Sequence, residues 1–296
     1  MGATEWLLLL TLSVLWGGSF FFAKIAVAEV PPLTLVFLRV AIAAAALHLV
    51  VRTAGQSMAV GWPVWVAFFG MGLLNNVIPF SLIVWGQQQI GAGLAAILNA
   101  TTPLFTVLVA HALTVDERAS GARLAGVVVG LAGVALMMGP DAFGGFNASL
   151  AAQLACIGAA ISYAFAGVFG RRFKSLPPMV TACGQVSASS VMMLPLALVV
   201  DNALALPLPS VRAILAILAL ALVSTALAYI IFFRILKSAG ATTLLLVTFL
   251  IPVSAILLGV AMLGEALLPR HLIGMAAIGV GLACIDGRLV KRVRNQ

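Results

Sequence analysis

Between residues 5 and 288 the chain is a succession of apolar segments, each about 20 residues long and each closed by a short turn. A helix of that length reaches about 30 Å, the thickness of a bilayer's hydrocarbon core. Only 8% of the residues are charged and 63% are hydrophobic. A soluble domain carries about 25% charged residues, so no water-facing surface is available to this chain. The sequence predicts an all-α integral membrane protein.

Turn signals divide the chain into spans at 5–28, 33–51, 64–86, 91–113, 121–139, 150–170, 178–200, 212–236, 241–262 and 270–288. Pro31-Pro32, Gly139-Pro140 and Pro177-Pro178 are among the connections. The first segment has a small-x-small triplet, Ala26-Val27-Ala28. It begins with Glu5 instead of a basic residue and is too long for a cleaved leader, so it is expected to stay as a helix.

The net charge of +8 comes from residues scattered between spans, not from a basic stripe, which excludes a nucleic-acid partner. With ten spans, one set of loops and ends holds Arg52, Arg118, Arg123, Arg171, Arg172, Lys174, Arg234, Lys237, Arg288, Lys291, Arg292 and Arg294. The other set holds Lys24, Arg212 and Arg270. Basic loops stay in the cytoplasm, so both termini are expected there, in a bacterial inner membrane. Cys156, Cys183 and Cys284 fall inside spans without paired spacing, and the three histidines lie far apart. No metal site, cofactor or disulfide framework is expected.

The second half repeats the first. Trp16 to Lys24 aligns with Tyr163 to Arg171, and Pro31-Pro32 with Pro177-Pro178. "IGAGLAAILNATTPLF" aligns with "AGATTLLLVTFLIPVS", which sets Pro103 opposite Pro252, and Glu117 matches Glu265. The units are taken as 1–145 and 146–296. Five spans is an odd number, so the second copy enters the membrane from the opposite face. Inverted repeats related by an axis in the membrane plane are a transporter architecture, with the substrate held near the midplane between them.

The W-G-x-S-F of helix 1, Phe37-Leu38-Arg39 in helix 2, a proline in helices 4 and 9 and Gly264-Glu265 after helix 9 resemble the drug/metabolite transporter superfamily, in its EamA-type ten-helix branch. Within that branch the pattern is similar to bacterial exporters of aromatic and other amino acids. The resemblance implies a basket of helices 1, 3, 4, 6, 8 and 9 around a central cavity, with helices 5 and 10 as support.

Helical periodicity nominates the lining. Trp16 and Phe20 share a face of helix 1, and Asn76, Pro79, Phe80 and Gln87 a face of helix 3. Asn99 and Thr102 follow in helix 4, Thr225, Tyr229 and Phe232 in helix 8, and Thr248 in helix 9. Tyr163 enters as the counterpart of Trp16. The expected substrate contacts are therefore Trp16, Phe20, Asn76, Phe80, Asn99, Tyr163, Thr225, Tyr229, Phe232 and Thr248. Pro79, Pro103 and Pro252 are expected hinges, since proline deprives a carbonyl four residues earlier of its donor. Gly17 and the glycines of helices 5 and 10 read as packing surfaces.

Arg39 is an intramembrane charge with two roles open: attracting a carboxylate, or tying up helix carbonyls or a polar partner. Its counterpart is the neutral Gln185, which favours the structural role. The eight acids all lie near span ends, unlike the buried glutamate a small multidrug-type proton antiporter needs, and no P-loop is present. The expected function is secondary export of small metabolites, chiefly amino acids including aromatic ones, by alternating access, as a monomer in the lipid bilayer. Efflux of lipophilic or cationic drugs is the alternative. An intramembrane enzyme is distant, because no catalytic constellation is visible at membrane depth.

Overall fold

The computed structural model describes residues 3–114, 119–138, 147–244 and 246–286. Among these are ten helices: α1 (Ala3–Ala26), α2 (Pro32–Thr53), α3 (Trp62–Gly86), α4 (Ala92–Leu113), α5 (Gly121–Met138), α6 (Ala148–Phe173), α7 (Pro178–Val199), α8 (211–244), α9 (Leu246–Leu263) and α10 (Pro269–Asp286). There is no strand among the described residues. α1 through α8 each contain a stretch long and apolar enough to cross a membrane, and shorter apolar helices lie within α9 and α10. The chain is a multi-pass membrane protein.

Local chemistry accounts for the helix starts. Proline occupies the first turn of α2, α3 and α7, where its missing N–H costs nothing. The Asn147 side chain accepts the Leu150 N–H at the start of α6, and Ser210 does the same for Ala213 at the start of α8. One expected boundary is wrong. The sequence reading ends helix 8 at 236 and starts helix 9 at 241, whereas α8 runs on to Leu244 and α9 begins at Leu246. Ser238-Ala239-Gly240-Ala241 holds no proline and two alanines, so nothing in it forces the helix to stop. The expected junction of the two units, at 145–146, and Glu117 lie outside the described residues.

Helix contacts obey one exchange rule. Writing the helices of the second half as partners of the first, α1 with α6 through α5 with α10, every major contact maps onto another. α1 packs on α9 and α6 on α4; α3 packs on α6 and α8 on α1; α2 packs on α8 and α7 on α3. The pairs α2·α7, α4·α9 and α5·α10 map onto themselves. This is the signature of two five-helix repeats about a two-fold axis, and an odd helix count makes them inverted.

Small residues set the closest approaches. A Cβ on Gly17 would lie 2.6 Å from the Ser254 Cβ and 2.9 Å from the Ala255 nitrogen, so glycine permits the α1–α9 crossing, next to the Ser13–Ser254 hydroxyl pair at 2.7 Å. α5 and α10 meet through Gly133, whose Cβ would lie 2.8 Å from the Gly274 carbonyl, and through Gly281 against Gly126 and Gly130. Gly279 has nothing within 4 Å. It takes no part in that packing.

Three carboxylates clasp one face of the bundle. Asp201, after α7, accepts the Thr34 N–H at 2.7 Å in the first turn of α2. Glu29, after α1, accepts the Ser210 N–H at 2.7 Å and its hydroxyl at 2.6 Å at the start of α8. Glu265, after α9, accepts the Ala92 and Gly93 N–H groups at 2.6 and 3.0 Å at the start of α4. Each places negative charge at a positive helix end, which explains why these acids sit at span ends.

A central cavity with an aromatic wall

α3 and α8 carry the same irregularity. In α3 a π-helical turn spans Leu73–Val77, and in α8 a π segment spans Ala219–Leu227. Asn75-Asn76 in the first repeat falls opposite Ser224-Thr225 in the second, which puts the two in register. Pro79 follows the first, yet the second has no proline, so proline is not the common cause. In α8 the Thr225 hydroxyl donates to the Leu220 carbonyl, five residues back, at 2.8 Å. π turns of this kind occur frequently at functional sites.

Between the repeats lies a cavity of about 700 Å³. Nine of the ten expected contact residues stand on its wall: Trp16, Phe20, Phe80, Asn99, Tyr163, Thr225, Tyr229, Phe232 and Thr248. Trp16 and Phe232 meet with ring centroids 5.5 Å apart, and Tyr229 stacks on Phe233 at 6.3 Å. One side of the cavity is thus an apolar surface of aromatic rings.

Asn76 is not on the wall. It is fully buried, its amide donates to the Ser189 hydroxyl at 3.0 Å, and its carbonyl accepts from the Tyr229 hydroxyl at 3.3 Å. Asn75 lines the cavity in its place, donating to Gln185 Oε1 at 3.0 Å and to the Tyr229 oxygen at 3.2 Å. The π turn is the reason. Its i→i+5 spacing stacks Asn75, not Asn76, over Phe80, and a uniform 3.6-residue count cannot see that shift.

The prolines differ from one another. α4 breaks at Ala100–Thr101, just before Pro103, whereas α9 continues through Pro252. The carbonyl of Asn99, which Pro103 leaves without its helix donor, accepts the neighbouring Thr102 hydroxyl at 2.7 Å. The amide of Asn99 is a different matter: its Oδ1 is buried without a hydrogen-bond partner, as are Gln87 Oε1 and Ser224 Oγ, and all three residues line the cavity.

Helices 2 and 7 are not peripheral to the site, contrary to the basket implied by the resemblance. α2 contributes Arg39 and α7 contributes Gln185. Sequence reasoning missed Gln185, although its position opposite Arg39 in the repeat was available as a signal. Arg39 is 8% exposed, its guanidinium lies 3.5 Å over the Phe80 ring, and its Nε donates to the Thr225 hydroxyl at 3.0 Å.

The wall runs from Gln87, at the end of α3, to Lys174 and Pro178, at the α6–α7 connection on the opposite face. The Gln87 end is shut. Gln87 Nε2 donates to the Phe20 carbonyl at 2.8 Å. Beyond it Lys24 Nζ donates to the carbonyls of Gln87 and Ile90 at 2.5 and 3.0 Å, and Glu265 holds the start of α4. Lys24 therefore caps the negative end of α3 and Glu265 the positive end of α4.

Inverted repeats enclosing a cavity between them, shut at one end by side-chain clasps, are the architecture of a membrane transporter. Residues 4–139 and 150–285 both match the EamA-like transporter family, and the chain belongs to it. It is similar to the uncharacterized transporter YoaV of Bacillus subtilis (strain 168), at 22% identity over 93% of this chain and 94% of the relative. It is also similar to the uncharacterized inner membrane transporter YedA of Escherichia coli (strain K12), at 25% identity over 88% and 83%. A "probable amino-acid metabolite efflux pump" of Salmonella typhimurium matches at 25% over 95% and 94%. One solved crystal structure aligns over the full length of both chains with a TM-score of 0.69 and 25% identity.

Proposed function

We propose that the protein exports small metabolites, chiefly amino acids including aromatic ones, by alternating access through the central cavity. The carrying observation is the wall itself: aromatic rings from both repeats beside unpartnered amide and hydroxyl oxygens. A volume of about 700 Å³ falls in the usual range of small-molecule sites, roughly 300–1,000 Å³. The efflux-pump name borne by one relative points the same way.

The excess of positive charge in the loops on the Lys174 face supports a cytoplasmic location for that face and for both termini, in a bacterial inner membrane. The cavity then faces inward, clasped from outside by Lys24 and Glu265. Trp16, Phe20, Phe80, Tyr163, Tyr229 and Phe232 take the apolar side chain, and Asn99, Thr225 and Thr248 the polar end. The π turns and the prolines 79, 103 and 252 absorb the bending as the halves exchange conformations. The monomer is sufficient, because one chain holds both halves.

The test is flux of labelled phenylalanine in proteoliposomes. Trp16→Ala and Tyr229→Ala are expected to lower it while expression and folding stay normal, with a lipophilic dye failing to compete. Unchanged flux in both variants overturns the reading.

A further inference from the structure

We propose that the cavity selects for a free carboxylate, with Arg39 as the recognition group and the Asn99 amide oxygen as acceptor for the neighbouring ammonium; this rests on the exporter reading. The first observation is what Arg39 leaves open. A guanidinium has five N–H donors in a rigid fork. The Thr225 hydroxyl accepts from Nε and itself donates to the Leu220 carbonyl. Stacking on Phe80 fixes the plane of the fork. Among the described residues the ionisable groups acting on Arg39 are the phenols of Tyr163 and Tyr229, with no carboxylate. A purely structural arginine would have its Nη groups occupied; here Nε→Thr225 is the hydrogen bond the guanidinium makes among the described residues, and Arg39 lines the cavity. A planar fork whose Nη groups meet no acceptor among the described residues fits a bidentate carboxylate.

The second observation is depth. Phe80, under the guanidinium, lies two helical turns before the Gln87 end of α3, and Asn99 lies two turns after Ala92 at the start of α4. Both therefore sit roughly 10 Å from the clasped face, at one level of the cavity. The carboxylate and ammonium of an α-amino acid share one carbon and need partners at one level. Asn99 Oδ1 is buried and unpartnered there. Gln87 Oε1 is too near the clasped end to serve the same molecule. An organic cation without a carboxylate meets an uncompensated positive charge in a medium of low dielectric. The cavity is thereby set against cationic drugs.

The experiment compares three probes of similar size on the purified full chain in nanodiscs: phenylalanine, phenylalaninamide and 3-phenylpropionate. In the wild type, removing the carboxylate is expected to weaken binding roughly tenfold to a hundredfold, the effect of losing a charge-assisted pair. Arg39→Gln abolishes the difference between the two, weakening phenylalanine and, with the repulsion lifted, strengthening the amide; Arg39→Lys falls between. Asn99→Ala weakens phenylalanine and spares 3-phenylpropionate. The wild-type comparison needs no variant, so a folding defect in Arg39→Gln leaves the test intact. Equal affinity for phenylalanine and its amide overturns the proposal even where phenylalanine is transported, which keeps the exporter reading. Tight 3-phenylpropionate binding without phenylalanine flux supports the carboxylate site and overturns the amino-acid reading.

Discussion

Glu265 closes the start of α4 by accepting the Ala92 N–H at 2.6 Å, from a position 173 residues further along the chain. Gly264 makes this possible. With φ +66 it ends α9 in the left-handed region, and the Glu265 N–H bonds back to the Gly259 carbonyl at 3.1 Å. The side chain then lies over Gly259 and Gly91, where a Cβ would stand 2.5 Å from Oε2 and 2.8 Å from the carboxyl carbon. The Gly-Glu pair after helix 9 is thus a clasp between the two repeats.

Opening this clasp is expected to unlock the far face. Glu265→Ala removes two charge-assisted bonds to helix N–H groups, a loss of about 1–2 kcal/mol. In a background without the native cysteines, Ser19→Cys on the cavity wall should react slowly with an impermeant thiol reagent added outside. Glu265→Ala should raise that rate, and Glu265→Gln should raise it less. Equal rates would mean that Lys24 and Gln87 hold the seal alone.

Gly17 and Gly18 provide a matched pair. Gly17→Ala drives a methyl to 2.6 Å from the Ser254 side chain and 3.0 Å from the Ile251 carbonyl, whereas a methyl on Gly18 finds its nearest atom at 3.5 Å. Overpacking of this kind costs about 1–3 kcal/mol. Thermal unfolding in detergent should show Gly17→Ala clearly destabilised and Gly18→Ala close to wild type.

Asn75 and Asn76 are expected to fail differently. Asn76 joins α3 to Ser189 of α7 and Tyr229 of α8 without itself lining the cavity, and Asn75 also holds the Tyr229 oxygen. Asn76→Ala leaves buried partners unsatisfied, at about 1–3 kcal/mol, and should lower stability with little change in substrate KM among folded molecules. Asn75→Ala removes a group on the wall and should raise KM. A melting curve and a flux titration on both variants decide the matter.

How much of this was legible follows from the physics of each feature. Length and apolarity reveal helices in a bilayer, because every backbone group must be satisfied within the span. The repeat was visible in paired motifs such as Pro103 and Pro252, and with five spans per copy its inversion followed. Periodicity found the wall residues wherever helices are regular. It failed at Asn76, because a π turn leaves no local mark in composition. It gave no sign that Arg39 and its counterpart Gln185 reach the cavity wall, because nothing in the sequence says that helices 2 and 7 do. Long-range clasps such as Glu29 with Ser210 depend on tertiary placement and have no sequence signal.

That last clasp has a pH dependence of definite sign. Hydrogen bonds from the Ser210 hydroxyl and N–H hold the Glu29 carboxyl below its ordinary value of 4.5, and Arg212 adds a smaller pull in the same direction. A carboxylate whose folded value is depressed contributes stability that is fully present above its unfolded value and is lost as pH falls through the folded one. Glu29→Gln keeps the shape and removes the charge. The stability difference between wild type and Glu29→Gln should therefore be constant from neutral pH down to about 5 and shrink below about 4.5. Because Glu29 is open to solvent, salt should shrink the part that comes from Arg212 and spare the part that comes from the short Ser210 bonds. A difference that grows in acid would mean that folding disfavours the ionised carboxylate, and the charged clasp would have no part in holding α1 to α8.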